Sequence, residues 1–570
     1  MAEEVWMLQT KKADFKQIGA RFRIDPVTAR IIRNRGIEGE AAIDRYLNGT
    51  LDDLYDPMLL KDMERAVSIL CEAVDTGKKI QIVGDYDIDG VCSTYILLQA
   101  FERLGSDVDF EIPDRIKDGY GINESIIEQA HADGVEVILT CDNGISAFHQ
   151  VELAKKYGMT VVITDHHEVP LDGEKEKIPP ADAVIDPKQA DCPYPFPEIC
   201  GAVVAYKLVQ VLYARRGVPQ MEWLDLLEFA AIATVGDVMK LQDENRILVK
   251  YGLKKMAQTK NLGLRRLAEK NNLDLGAITA YHIGFVIGPC LNAGGRLKTA
   301  KEALALLRAQ SEEEAERLAE ELKELNDTRK DMTEQGTEAA KLQVESWYQK
   351  DKVLVVFLPE CHESLAGIIA GRLREYYQKP AIVLTRGEEA VKGSGRSIDE
   401  YHMFKKLTEV SDLLLKFGGH PLAAGLSLEE KNIDEFRRRL NENAGLTEED
   451  FKAKVWIDVP MPVGYVTERL VRELSCLEPF GQGNEKPLFA EKSLRIRASR
   501  VLGRNRNVVK MTLEETDGRA IEALYFGDGT AFEEERAGRR EIDVVYYPDI
   551  NEYNGRKTLQ AVIRRYKFRG

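Results

Sequence analysis

Three short apolar runs in the first third of the chain each break off into acid. Ile80-Gln81-Ile82-Val83-Gly84 stops at Asp85-Tyr86-Asp87-Ile88-Asp89-Gly90. Val135-Glu136-Val137-Ile138-Leu139-Thr140 stops one cysteine later at Asp142-Asn143-Gly144, and Ile163-Thr164 stops at Asp165-His166-His167. Strand-like segments near 80, 108, 136, 160 and 183 alternate with amphipathic stretches over 91–104, 123–132 and 147–157. This alternation predicts βαβ units, hence a parallel sheet with helices on both faces. Ligands of such sheets bind beyond the carboxyl ends of the strands, where the three polar endings fall. The apolar helical run 226–235 delivers Gly236-Asp237, a fourth source of carboxylate.

Carboxylates gathered without cations repel one another and titrate upward, so the arrangement calls for divalent metal. Asp85, Asp87, Asp142, His166 and Asp237 are hard oxygen donors with one imidazole. That set suits Mn²⁺ first and Mg²⁺ second, and suits a closed zinc site poorly.

At 570 residues the chain is long enough for three or four domains. Its 44% hydrophobic and 31% charged residues are ordinary for a globular protein, and no stretch has the apolar length of a membrane span. With neither a basic leader nor a long apolar run at the N-terminus, a cytoplasmic location is expected. The eight cysteines are scattered, without the spacing of a zinc knuckle or redox pair, so disulfides are not expected. A net charge of −16 counts against a nonspecific nucleic-acid coat. Basic residues nevertheless concentrate late, at Arg495, Arg497, Arg500, Arg504, Arg506 and Lys510 and again from Arg556 to Arg569.

The expected organisation is a helical lead-in over 1–78, a catalytic α/β domain over 79–305 and a connector helix over 306–348. A second α/β lobe for substrate follows over 349–450, and a small β domain over 451–570. The lobe carries glycine-rich turns at Gly393-Ser394-Gly395-Arg396-Ser397 and Gly418-Gly419-His420. The β domain has tight-turn signals at Asp517-Gly518 and Asn554-Gly555. With Arg495 and Arg497 on one strand face and Tyr546, Tyr547, Tyr553 and Tyr566 nearby, it fits an OB-type barrel that grips single strands by phosphate contact and base stacking.

Asp-His-His, Asp-Tyr-Asp-Ile-Asp-Gly, Asp-Asn-Gly and Gly-Asp-Val-Met together resemble the DHH phosphoesterase superfamily. Further segments narrow the likeness: Ile112-Pro113-Asp114-Arg115 with Gly119-Tyr120-Gly121, Asn292-Ala293-Gly294-Gly295-Arg296, Gly393-Ser394-Gly395-Arg396-Ser397, Phe417-Gly418-Gly419-His420 and Pro479-Phe480-Gly481-Gln482-Gly483-Asn484. In this order, and with Arg33-Asn34-Arg35-Gly36-Ile37 near the start, they resemble the RecJ family of bacterial single-strand-specific DNA exonucleases over nearly the whole chain. Cys290 stands where many relatives carry Arg, Gly294 where Ala is usual, and Cys361 where an aromatic residue is expected before His362.

The resemblance implies a DHH domain joined by a long helix to a DHH-associated domain, followed by an OB-type barrel. It implies two divalent ions on Asp85, Asp87, Asp142, His166 and Asp237, with Asp142 bridging and in-line attack of water on the scissile phosphorus. His167 would bond the phosphate or assist proton transfer, and Asp165 and Asp89 would orient the ligands. Arg115, Ser394 and Arg396 would hold a 5′-phosphate, Asn292, Arg296 and the Gly418-Gly419-His420 turn would grip neighbouring phosphates, and His362 would line the lobe. The expected activity is 5′-to-3′ hydrolysis of single-stranded DNA to mononucleotides, in repair and recombination. The chain would act as a monomer, with a helicase and a single-strand-binding protein supplying the strand. Two alternatives keep the fold: a DHH phosphodiesterase acting on short oligonucleotides or cyclic dinucleotides, and an inactive DHH replication scaffold.

Overall fold

The first strands form because β-branched runs bury both of their faces. In the computed structural model, which describes residues 4–115, 117, 119, 121–553 and 555–569, every residue of Ile80–Val83 and Val137–Cys141 is buried. Tyr120 and Asn554 lie outside the described residues, as do the side chains of Tyr553 and Arg556. Strands β1 (Ile80–Val83), β2 (Val108–Glu111), β3 (Val137–Cys141), β4 (Thr160–Thr164) and β5 (Ala183–Ile185) form a sheet of order β2-β1-β3-β4-β5, all parallel.

Register does more than adjacency here. Val83 lies beside Thr140, Thr140 beside Ile163 and Ile163 beside Val184. Two residues further along each strand stand Asp85, Asp142, Asp165 and Asp186, so one row of the sheet ends in a row of aspartates.

Helix α1 (Ile88–Arg103) starts where the Asp87 side chain accepts from the amides of Asp89 and Gly90 at 2.9 and 3.1 Å. Helix α2 (Gly201–Arg216) begins against Asp142, since a Cβ on Gly201 would lie 2.7 Å from the Asp142 Cβ. Helix α3 (Leu227–Gly236) is the apolar run that delivers Asp237, and α4 (Gly288–Leu297) carries Asn292 and Arg296. The connector is helix α5 (Glu312–Gln343), 32 residues long and opened by Ser311, whose hydroxyl accepts from the Glu314 amide at 3.2 Å. Ala315, Leu318, Ala319 and Leu322 recur on its buried side.

The second sheet holds β6 (Leu354–Phe357), β7 (Ala381–Arg386), β8 (Val391–Arg396), β9 (Leu414–Gly419) and β10 (Ala423–Leu428), in the order β9-β10-β8-β7-β6. Helix α6 (Ala366–Tyr377) packs on it. Both segments expected as glycine-rich turns are strands here. Gly393 and Gly395 fit because a Cβ would crowd Leu384 at 2.5 Å and Met403 at 3.1 Å, whose side chains fill that face. Period-two alternation then puts Ser394 and Arg396 together on the other face.

Among the described residues, those within 54–239 and 247–453 form one compact unit, and those within 4–53, 240–246 and 454–569 form another. Residues 4–53, expected as part of a lead-in to the first strand, thus fold with the β domain. Ile31, Ile32, Ile43 and Tyr46 enter one core with Phe489, Val509, Phe532 and Ile542. The Arg33-Asn34-Arg35 motif belongs to that joint, where Arg35 pairs with Asp458 at 2.7 Å and Asn34 donates to the Asp458 carbonyl at 3.1 Å. In the barrel, strands β11 (Val459–Pro460), β12 (Phe489–Leu502), β13 (Val508–Glu514), β14 (Ala520–Phe526), β15 (Glu541–Tyr553) and β16 (Arg556–Phe568) run in the order β11-β12-β13-β14-β16-β15. Pairing of β12 with β15 closes the ring. Gly518, in the expected turn between β13 and β14, has φ +88.

Candidate metal centre and phosphate cleft

The carboxyl edge of the first sheet gathers the acids into a buried cluster. Asp85, Asp142, Asp165 and Asp186 are 1%, 2%, 0% and 0% exposed. Donor atoms fall into three groups whose members lie within 4.8 Å of one another: Asp85 with Asp87 and Asp142, Asp142 with His166 and His167, and Asp89 with His166 and Asp237. Asp142 and His166 each belong to two of them. His166 Nε2 lies 3.1 Å from Asp142 Oδ1, 3.4 Å from Asp89 Oδ2 and 3.9 Å from Asp237 Oδ2.

The electrostatics fit divalent cations. Burial first, and neighbouring carboxylates second, push Asp85 and Asp237 up to about 8, raise Asp87 and hold Asp142 well above the usual carboxylate range. Burial also lowers His166, which leaves its ring neutral and able to coordinate. A dense set of oxygen donors with one imidazole suits Mn²⁺ or Mg²⁺.

Asp165 and Asp89 are anchored by amides. Asp165 Oδ1 accepts from the His166 amide at 2.7 Å and meets His167 Nδ1 at 2.7 Å, while Oδ2 accepts from the Ile145 amide at 2.9 Å. Burial would raise Asp165, but the bond and charge of His167 outweigh it and keep the group below its ordinary value. The same contact overcomes burial at His167 and lifts it to about 9. Asp89 accepts from the amides of Gly201 and Ala202, both at 2.7 Å, and so caps α2.

Next to this centre lies a cavity of about 580 Å³ lined by Arg115, Arg296, Gly367, Lys392, Ser394 and Arg396. A smaller one joins Arg115 and Arg296 to Tyr86, between Asp85 and Asp87, and the Arg115 guanidinium sits 4.8 Å from the Tyr86 ring centroid. Burial, and then the Arg115 charge, lower Arg296 to about 10 and depress Arg396. Cations so crowded suit an anion. The first turn of α6 lines the same cavity, and a Cβ on Gly367 would come within 2.8 Å of Ser394 Oγ and 2.9 Å of Arg396 Nη2. Glycine there lets a helix N-terminus approach the arginine fork.

Other expected cleft residues are placed less directly. His362 caps the turn Glu363–Leu365 through Ser364, with Nδ1 at 2.7 Å from Ser364 Oγ. Asn292 is half-buried on α4, one turn before Arg296. Gly418 and Gly419 end β9, and the charge of the following His420 acts on Glu168, just past His167. Cys290 lies on the buried side of α4, where Asn326 donates to its sulfur at 3.3 Å.

In the barrel unit Arg495 and Arg497 share the exposed face of β12, and Arg497 pairs with Glu514 at 3.4 Å. Among the expected stacking tyrosines with described side chains, Tyr546 and Tyr547 are buried and Tyr566 is partly buried. Tyr546 is wholly buried, with its hydroxyl on the Met461 carbonyl at 2.9 Å. Tyr547 is 6% exposed beneath the Lys486 ammonium, and Tyr566 packs against Tyr525, Phe532 and Phe568. Val544, Val545, Tyr546 and Tyr547 are buried in succession, with a register shift between Val545 and Tyr546.

Asp186, Gly367 and Lys392 escaped the sequence reading. Asp186 had a signal, since Ala183-Val184-Ile185 ends in acid as the other strands do.

Comparison with known proteins agrees along the chain. Family models match the DHH family N-terminal domain over residues 79–234, the DHHA1 domain over 350–445 and the RecJ OB domain over 457–565. The single-stranded-DNA-specific exonuclease RecJ of Bacillus subtilis is 36% identical, over 98% of this chain and 70% of its own length. That of Haemophilus influenzae is 33% identical, over 96% of this chain and 97% of its own. Among solved structures, RecJ of Thermus thermophilus in complex with Mn²⁺ superposes with a TM-score of 0.84 at 28% identity, covering 99% of this chain and 80% of that one. A manganese-bound exonuclease RecJ gives 0.60 at 32% identity, covering 69% of this chain and 98% of the other. With this agreement in sequence, domain order and fold, the chain belongs to the RecJ family of single-stranded-DNA-specific exonucleases.

Proposed function

We propose that the chain is a 5′-to-3′ exonuclease that takes single-stranded DNA from a 5′-phosphorylated end and releases mononucleotides. The observation that carries this reading is the closeness of an arginine-lined anion cavity to a buried carboxylate cluster, with Tyr86 between them. A terminal phosphate held by Arg115, Ser394, Arg396 and the α6 N-terminus would leave the next phosphodiester near the acids.

Asp85, Asp87, Asp142, His166 and Asp237 would hold two divalent ions, and the Asp142 carboxylate belongs to two of the donor groups. Mn²⁺ by preference, or Mg²⁺ as the alternative, would supply Lewis-acid chemistry to a scissile phosphate and to water at this donor set. Asp165 fixes the His167 ring through Nδ1, so that Nε2–H is the proton offered to a phosphate oxygen or the leaving oxygen. Asp89 sets the start of α2 against the cluster and keeps His166 in place. Arg296 ties the two lobes, donating to the Ser364 carbonyl at 3.0 Å while it lines the cavity. Asn292, the His362 cap and the Gly418-Gly419-His420 segment shape the strand's path, and Arg495 and Arg497 add grip from the barrel.

In this division of labour residues 79–305 cut, 306–348 connect, 349–450 hold the end and 451–570 hold the strand. The chain acts as a cytoplasmic monomer in repair and recombination, on strands that a helicase exposes and a single-strand-binding protein covers. The test uses purified full chain, Mn²⁺ and strands labelled at either end. Stepwise loss from a 5′-phosphorylated end, faster than from a 5′-hydroxyl end, is expected. Degradation from the 3′ end, or survival of single strands while duplex ends are lost, overturns the proposal.

A further inference from the structure

The helical run 280–297 carries two aromatic rings that nothing in the described structure covers. Tyr281 and Phe285 are 64% and 68% exposed, and their rings stack on each other at 4.7 Å with an interplanar angle of 28°. Trp347 and Phe526 are as exposed, but Tyr281 and Phe285 form a contiguous stacked pair, and contiguous apolar surface is what marks a contact site.

Their place on the helix says what meets them. A π-helical turn over Ile283–Ile287 interrupts the run, and such turns recur at functional sites. Ile283, Ile287, Cys290 and Leu291 form its buried side. Tyr281, Phe285, Asn292 and Arg296, spaced four, seven and four residues apart, share the opposite face once the wider turn is allowed for. The flank beside that face packs on the metal centre. A Cβ on Gly284 would lie 3.6 Å from Val235, one on Gly288 3.3 Å from Ile88, and one on Gly295 2.4 Å from the Tyr86 carbonyl. The aromatic pair therefore continues the face that enters the cavity at Arg296, about 16 Å further along the helix.

We propose that Tyr281 and Phe285 form a stacking ledge for a base of the bound strand, a few nucleotides in from the phosphate held in the cavity. This rests on the exonuclease reading above. Bases of any identity stack on an aromatic face, so the ledge holds strands without reading sequence. Val238, 65% exposed directly after the acid Asp237, adds apolar surface on the α3 side.

Binding is measured on full chain without divalent metal, using 5′-phosphorylated strands with 2-aminopurine at successive positions. Quenching is expected at one internal position and not at the terminal one. Tyr281→Ala with Phe285→Ala should abolish it and weaken binding roughly tenfold, while Phe285→Trp retains both. On the unmodified chain, an abasic site at the quenched position should weaken binding by a similar factor, and the double variant should lose that sensitivity. An abasic penalty equal in both proteins, or quenching unchanged in the double variant, overturns the ledge, whatever other partner the rings then prove to bind. If unmodified chain binds strands in this way but does not degrade them from the 5′ end, the exonuclease reading falls and the ledge stands.

Discussion

The acids at the carboxyl edge of the parallel sheet and the arginines along β12 are both runs of like charge, and the fold treats them oppositely. Parallel strands carry Asp85, Asp142, Asp165 and Asp186 to one level and bury them. Repulsion among them is unscreened, so Asp85, Asp142 and Asp186 are pushed toward the neutral form or toward cations, while Asp165 stays charged against His167. The antiparallel alternation of β12 turns Arg495 and Arg497 outward, where water screens them and Glu514 pairs with one. Buried like charge therefore marks a site whose ligand is strongly required, whereas exposed like charge marks a surface whose ligand is weakly favoured.

The sharpest way to break this contrast is to remove one acid. Asp142→Ala should lower cleavage more than about a thousandfold while strand binding persists, because Asp142 joins two of the donor groups. Initial rates and filter binding on the same preparation decide it, and retained cleavage would sink the assignment. Arg396→Ala comes next, since its guanidinium is half-buried and, in the proposed role, acts on one phosphate. It should raise KM for 5′-phosphorylated strands roughly 10- to 100-fold. KM for 5′-hydroxyl strands should barely move, and an equal rise on both would refute end recognition at this site.

How much of this was legible in the sequence follows the same division. The parallel sheet, its acid endings and the long connector were readable, because apolar runs and helical periodicity survive without knowledge of partners. The strand nature of Gly393 to Arg396 was not, since glycine reads as a turn until Leu384 and Met403 are seen to fill the space of its side chains. The packing of residues 4–53 with the barrel depends on contacts such as Arg35 with Asp458, more than 400 residues apart in sequence, which local pattern does not encode. The burial of Tyr546 is not legible, because closeness in sequence to an arginine strip does not make a residue exposed, and the whole run Val544 to Tyr547 is buried. Asp186 was readable and missed, for it ends the shortest strand of its sheet.

Glu228 sharpens the comparison as a buried acid outside the cluster. It is 3% exposed on α3, and accepts from Thr259 Oγ1 at 2.7 Å. Burial raises it from 4.5 to about 7, against opposing pulls from the Thr259 bond and Lys255 and with a push from Asp225. A raised folded pKa means that its contribution to stability is complete below about pH 4.5 and is lost as pH rises through about 7. Glu228→Gln keeps an acceptor for Thr259 and removes the titration. It should match the unmodified chain near pH 5 and exceed it by on the order of 2 kcal/mol near pH 8. A stability gap that does not change with pH would count against burial as the cause.

The smallest effect is expected where the charges are exposed. Arg495→Ala with Arg497→Ala removes two cations from the outer face of β12, and strand affinity should fall only several-fold at moderate salt. The dependence of log Kd on log salt should become shallower by about 1.4, the value for two phosphate contacts on a single strand. Titrations at a series of salt concentrations check this, and an unchanged slope would place these arginines off the strand. Raising the salt should also erase the difference between the variant and the unmodified chain, since screening removes what the arginines contribute. Salt should not rescue or mimic Asp142→Ala, because the repulsion among buried acids lies beyond its reach.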